Sequence, residues 1–233
     1  MKLEKRTKID EVTEKRRYDD ACGTAHALDL IGDRWALLVV RELMFGGRRF
    51  GEVRASLPGI SANVLTQRLE ALEAAGIAQR RKLPPPASVQ VYELTPWGYE
   101  AEEAIKVLGR WAARSPQHDP SLPLSAASLM LSFRTMFSAA RADDFRATIA
   151  FQIGDETFTA SIAHGVIAIT RGSDGGVALT IAAATAPMIA AIVYGGVPID
   201  AALAQDMVTM TGDRGVAERF VTLFPLPPKV GSA

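Results

Sequence analysis

The side chains best suited to chemistry lie between residues 61 and 82. In SANVLTQRLEALEAAG (61–76), Leu65, Leu69 and Leu72 fall at i, i+4 and i+7, one apolar stripe of a helix. At about 100° per residue, Asn63, Gln67 and Ala74 point the opposite way, with Thr66 and Glu70 on the shoulders. Amide and hydroxyl groups both donate and accept, which is what base edges in a DNA major groove require. A basic hairpin tipped by prolines follows at once, IAQRRKLPPPASVQVYELT (77–95), and its Arg80, Arg81 and Lys82 could reach phosphates. Ser61 suits both a helix N-cap and a phosphate neighbour. Arg68, about 60° off the apolar stripe, is expected to grip the sugar–phosphate backbone rather than read a base. Arg48 and Arg49, ahead of a preceding helix, are further phosphate candidates. Together these residues predict a winged helix-turn-helix lying on double-stranded DNA. The competing reading is a solvated helix face used for protein contact.

Other chemistry is weakly supported. His26, His118 and His164 are scattered, without the spacing of a metal site. Gly59-Ile60-Ser61-Ala62-Asn63 lacks the last glycine of a nucleophile elbow and follows a helix rather than a strand. Asp143-Asp144 and Asp155-Glu156 sit beside turns, and there is no phosphate-cradling glycine loop. No catalytic residue, metal or cofactor is therefore expected, and the chain does not read as an enzyme. Cys22 is the single cysteine, which suits a reducing cytoplasm and excludes an internal disulfide framework. At a helix start its thiol pKa would fall, making oxidation chemistry physically reasonable; a small packed side chain is the plainer alternative.

The elements that must position these groups can be read from periodicity. A helix is expected over 22–31, ended by Gly32. Asp33 is a candidate N-cap for a second helix with Trp35, Leu38, Val39 and Leu43 on one face. A short third helix (50–56) carries Phe50, Val53 and Leu57, and Pro58-Gly59 turns into the 61–76 helix. Strands over 78–83 and 89–94 flank the prolines, and Thr95-Pro96 caps a helix to about 114 with Ile105, Leu108 and Trp111 on one side.

Residues 116–125, rich in Pro and Ser, read as a linker between a 21–115 domain and a second domain over 126–233. Residues 1–20 alternate charge signs as a solvated tail, and they lack the apolar core of a secretory signal. The second domain begins with a helix (128–140), then shows strand alternation over 149–153, 158–162, 165–170 and 177–183, with Gly154-Asp155 as a hairpin turn. Helices are expected after Thr185-Ala186-Pro187 and Gly212-Asp213. The whole is α+β, with four consecutive antiparallel strands and flanking helices after the winged helix. Leu129, Phe133, Phe137, Phe151, Phe158, Ile162, Ile189 and Val193 are candidates to line a cavity for a small hydrophobic ligand, although a filled core fits the same alternation.

Net charge is zero, but residues 1–116 hold 19 Lys/Arg against 16 Asp/Glu, and residues 117–233 hold 7 against 10. Positive charge thus concentrates on the half expected to meet nucleic acid. The uncharged run 175–199 contains Pro187 and Gly195-Gly196, so a strand, turn and short helix are expected rather than a membrane span.

The first half resembles HxlR-type winged-helix transcription regulators, relatives of the MarR group. The resemblance runs from Cys22 through AHALDLIGDRWALLVVRELMFGGRRFGEV, SANVLTQRLEALEAAGIAQR and VYELTPWGYE to Trp111. It implies a homodimer held by the first and last helices, here around 27–31 and 105–111, on a palindromic operator. It also implies that Cys22 occupies a position where some members sense oxidants. The triple-proline wing tip departs from the family pattern. The second half resembles a sterol-carrier-protein-like domain, on Gly165-Val166-Ile167-Ala168-Ile169, Thr211-Gly212-Asp213, Arg219-Phe220 and Leu223-Phe224. That likeness implies an apolar cavity for lipid-like molecules. It also admits a different class of function, a lipid-binding module whose winged helix serves protein contact.

Overall fold

The computed structural model describes residues 18–173 and 175–231; most of the charged tail expected over 1–20 lies outside them. Five helices and a two-stranded ribbon make the first half: α1 (Gly23–Ile31), α2 (Ala36–Leu43), α3 (Phe50–Ala55), α4 (Ala62–Ala74), β1 (Ala78–Lys82), β2 (Gln90–Leu94) and α5 (Pro96–Ala112). Three residues set the start of α2 differently from expectation. Trp35, not Asp33, is its N-cap, held in the left-handed region at φ 82°, and the Ala36 amide donates to the Asp33 carbonyl. The Asp33 side chain is engaged by Arg68 instead.

The ribbon pairs antiparallel from Ala78↔Leu94 to Lys82↔Gln90, and Arg48 adds a bridge to Tyr92, donating and accepting at 2.8 Å. Thr95 ties ribbon to helix. Its hydroxyl donates to the Gly76 carbonyl at 2.7 Å and accepts from the Gly98 amide at 3.0 Å. Gly98 lets α5 approach closely, since a Cβ there would lie 2.1 Å from the Ile77 carbonyl oxygen.

The second half contains α6 (Ala126–Met136), α7 (Ala139–Ala142), β3 (Ala147–Ile153), β4 (Glu156–Ala163), β5 (Val166–Arg171), β6 (Leu179–Ala183), α8 (Ala186–Val193), α9 (Ile199–Ala204), β7 (Thr209–Gly212) and α10 (Arg214–Phe220). Its sheet order is β5-β4-β3-β6-β7. The expectation of four consecutive antiparallel strands is corrected here. β3, β4 and β5 form an antiparallel meander, but β6 crosses to the far side of β3 and pairs parallel to it, Ile149↔Leu179 to Ile153↔Ala183. The meander uses up one edge of β3 on β4, and the free edge is the one that β6 completes. The short β7 then closes the β6 edge antiparallel.

Alternation along β3 and β4 buries Ile149, Phe151, Ile153, Phe158, Ala160 and Ile162 beneath the helices. The Phe133 ring on α6 lies 4.8 Å from Phe224, 5.4 Å from Phe220 and 5.7 Å from Phe151. Of the eight candidate cavity residues, Leu129, Phe133, Phe151, Phe158, Ile162 and Ile189 are buried, and Phe137 and Val193 half-buried. Rings at those separations are in contact, so Phe133 and Phe151 join Phe220 and Phe224 in one aromatic cluster between sheet and α6. No described helix is long and apolar enough to cross a membrane.

The two halves share one continuous apolar core. Helix α6 packs on α2 and α5, and Phe45 meets Phe158 edge-to-face at 5.6 Å. A buried ion network crosses the same seam. The Glu42 carboxylate, fully buried, accepts from Arg41, from Arg48 at 2.9 Å and from the Ser125 hydroxyl at 2.6 Å. Arg48 continues to Glu156 at 3.2 Å, and Glu156 pairs with Arg171.

Candidate nucleic-acid interface

Helix α4 begins at Ser61, whose extended backbone and side-chain oxygen, accepting from the Val64 amide at 3.2 Å, satisfy one of the orphan donors of the first turn. Leu65, Leu69 and Leu72 are sealed in the core. Rotated away from them, Ser61, Asn63, Thr66 and Gln67 are all exposed, so the polar face is available to a ligand along its length. Neither Asn63 nor Gln67 is tucked into the interior.

The cations divide into three groups. Arg48 was expected at phosphate, but it is only 5% exposed and its guanidinium is consumed by Glu42, Ser56 and Glu156. It is a post between ribbon and sheet, and it is removed from the interface. Arg68 is likewise turned inward. It pairs with Asp33, and its Nε is buried without a hydrogen-bond partner. This arginine ties α4 to the α1–α2 turn and keeps about a fifth of its side chain exposed, so a contact with DNA backbone would compete with Asp33.

Arg80 and Arg81 are exposed but not idle. Alternation places them on opposite faces of the ribbon. Arg80 donates to Glu73 on α4 at 2.8 Å and stacks over Tyr92 at 5.4 Å. Arg81 donates to both oxygens of Glu93 at 2.8 Å, and that hydrogen bond holds the Glu93 carboxyl below the usual carboxylate range. The pair is thus two neutralised arginines rather than one cationic patch. Lys82 and Arg49 remain as more open cations, Arg49 being 3.7 Å from Glu52 with over half its side chain exposed.

Arg54, in the last turn of α3, was missed. It is exposed, with no carboxylate in ion-pair range among the described residues. The signal available was an arginine near Arg49 on the same short helix, one that the apolar pattern of Phe50, Val53 and Leu57 leaves outside the core.

Cys22 is exposed immediately before α1. The Thr24 amide, the Thr24 hydroxyl and the Ala25 amide favour its thiolate and lower its pKa.

Residues 30–119 match the HxlR-like helix-turn-helix family. Among curated relatives, the chain is 35% identical over 86 residues to the uncharacterized HTH-type transcriptional regulator YvaP of Bacillus subtilis (strain 168), spanning 37% of this chain and 80% of YvaP. It is 35% identical over 86 residues to the HTH-type transcriptional regulator YodB of the same organism, spanning 37% of this chain and 77% of YodB. The solved structure of the reduced form of the B. subtilis regulator YodB aligns with a TM-score of 0.38 at 32% identity, covering 42% of this chain and 98% of that one.

Proposed function

The chain belongs to the HxlR-like helix-turn-helix family of DNA-binding transcriptional regulators, and from that premise we propose that it acts as a sequence-specific homodimer on a palindromic operator. The observation that carries this reading is the exposed Asn63–Thr66–Gln67 face of α4, opposite a fully buried leucine stripe. A helix so anchored presents its polar side chains without conformational cost to itself, which is what base readout in a major groove needs. Ser61, Arg49, Arg54 and Lys82 are the proposed phosphate contacts, with Arg80 and Arg81 contributing as far as Glu73 and Glu93 release them.

Dimerisation is supported by apolar side chains exposed on the first and last helices of this half. Leu28 on α1 and Val107, Leu108 and Trp111 on α5 are 47–71% exposed. Two copies joined there would set two α4 helices about one turn of the duplex apart. The C-terminal half, sterol-carrier-like in its sequence, is proposed as a sensing or dimer-supporting module. Its route to DNA is the packing of α6 on α2 and α5. Fluorescence anisotropy on a duplex selected from a random library tests the central claim: affinity should fall steeply with salt. Selection yielding no preferred sequence and no salt-sensitive binding would leave the helix face to a protein partner.

A second reading has its own observation, the exposed, thiolate-favouring Cys22. With one cysteine per chain, oxidation would give a sulfenic acid, a mixed disulfide or a symmetric intersubunit disulfide. Oxidant should then change DNA affinity in the wild type and not in Cys22→Ser; equal responses dispose of it.

A further inference from the structure

Glu156 opens β4 in the second half, yet it serves charges on both sides of the seam. One carboxylate oxygen accepts from Arg48 of the first half at 3.2 Å, and the other accepts from Arg171 on β5. Arg48 keeps 6% of its side chain exposed and Arg171 24%. Arg171 has little else to hold it. Its guanidinium stacks over Phe158 at 4.6 Å, and its Nε and Nη2 are buried without a hydrogen-bond partner. Along the seam the charges alternate as Arg41, Glu42, Arg48, Glu156 and Arg171, so cations outnumber carboxylates. Without the charge at 156, two guanidiniums would face each other where water screens them poorly.

What hangs on Arg48 decides how far that repulsion would reach. Its backbone exchanges two hydrogen bonds of 2.8 Å with Tyr92, which places it in line with the Arg80↔Tyr92 pair of the ribbon. Its Nη1 donates at 3.0 Å to Ser56, the residue that ends α3, and its chain neighbour Arg49 caps the start of that helix. The open cations of the DNA side therefore stand on elements that Arg48 joins, Arg49 and Arg54 on α3 and Lys82 on the ribbon. The base-facing residues of α4 are seated separately, by the buried leucine stripe and the Arg68–Asp33 pair.

We propose that Glu156 is a positioning residue for DNA binding. From the second half, and through Arg48, it sets the spacing of the phosphate-gripping cations and leaves base readout to α4. A change at the β3–β4 turn or along β5 would reach the DNA side by this route, apart from the packing of α6. The effect on DNA rests on the regulator function proposed above; the link between Glu156 and the ribbon does not.

Two measurements on the full chain separate these. Without DNA, hydrogen exchange in peptides covering 47–49 and 90–94 should be faster in Glu156→Gln than in the wild type. With DNA, anisotropy should show that variant weakened about fivefold to tenfold on the selected operator and equally on random duplex, the salt slope falling by about one. Glu102→Gln is the control. It breaks an ion pair across the same seam, with Arg134 at 2.7 Å and a similar exposure, without touching Arg48, and it should leave both readouts at wild-type values. Glu156→Gln/Arg171→Gln removes the facing cation as well and should recover most of both losses, a test that stands even where the single variant folds poorly. Wild-type DNA affinity or wild-type exchange in Glu156→Gln, a loss confined to the operator, an equal loss in Glu102→Gln, or no recovery in the double variant would overturn the positioning role. A wild type that binds no DNA, with the exchange result intact, would count against the regulator reading alone.

Discussion

Along α4 and the ribbon the arginines face carboxylates, Arg68 with Asp33, Arg80 with Glu73 and Arg81 with Glu93, whereas where α5 runs beside α6 Arg110 and Arg114 face carbonyls. The arginines of the more basic segment are thus the more nearly neutralised ones, and the open charge beside them is carried by Arg49, Arg54 and Lys82. Counting arginines locates cationic segments; only their partners show where an anion gains most.

The comparison breaks most visibly at the seam. Arg48→Gln leaves the buried Glu42 carboxylate short of a partner and should cost about 3 kcal/mol of stability. Arg49→Gln, next to it in sequence but exposed, should leave thermal stability almost unchanged and lower DNA affinity. Matched denaturation and anisotropy measurements check both; equal stability for the two variants would return Arg48 to the interface. Gly98→Ala comes next. Its methyl group would meet the Ile77 carbonyl, so α5 must shift away from the ribbon, at about 1–3 kcal/mol by calorimetric melting. A variant as stable as the wild type would mean that α5 is less tightly seated.

On the DNA side, Gln67→Ala should cost about 1–3 kcal/mol on the selected operator and little on random duplex, narrowing the gap between them. An equal loss on both would assign Gln67 to phosphate. Glu93→Gln is expected to release Arg81 and strengthen binding to every duplex by a few fold, the scale of an exposed ion pair. Because the Glu93 pKa is depressed, its clamp on Arg81 holds above the ordinary carboxylate range and is lost only as pH falls through the lowered value. The smallest effect concerns Cys22: alkylation by iodoacetamide should reach half its limiting rate at a lower pH than a free cysteine thiol. A midpoint at or above the free-thiol value would remove the helix-start effect.

Much of the first half was legible because its signals are local. Leucine at i, i+4 and i+7, a serine N-cap, Thr95-Pro96 ahead of α5 and glycines after α2 and α4 each act within one or two turns of chain. The fate of neighbouring arginines was not. Arg48 and Arg49 are equivalent as letters, and only the fold makes one a core residue, between the buried Glu42 and a Glu156 brought from a strand more than a hundred residues away. In the second half, alternation marked β3 and β4 but could not say that β6 would cross β3, because pairing direction depends on which edge remains open after the meander forms. Strand β7 and helices α7 and α9, at four to six residues, are too short to show a period.

By itself, the amino-acid order determined which face of each helix and strand would seek the interior, since the periods of 3.6 and 2 are properties of single elements. Tertiary structure alone decided which charges are spent. Arg48 was drawn inside between Glu42 and the distant Glu156, and Arg110 and Arg114 were left facing carbonyls across a seam between two halves of the chain. Coulombic partners are chosen by distance in space, and that distance exists only once the halves have packed.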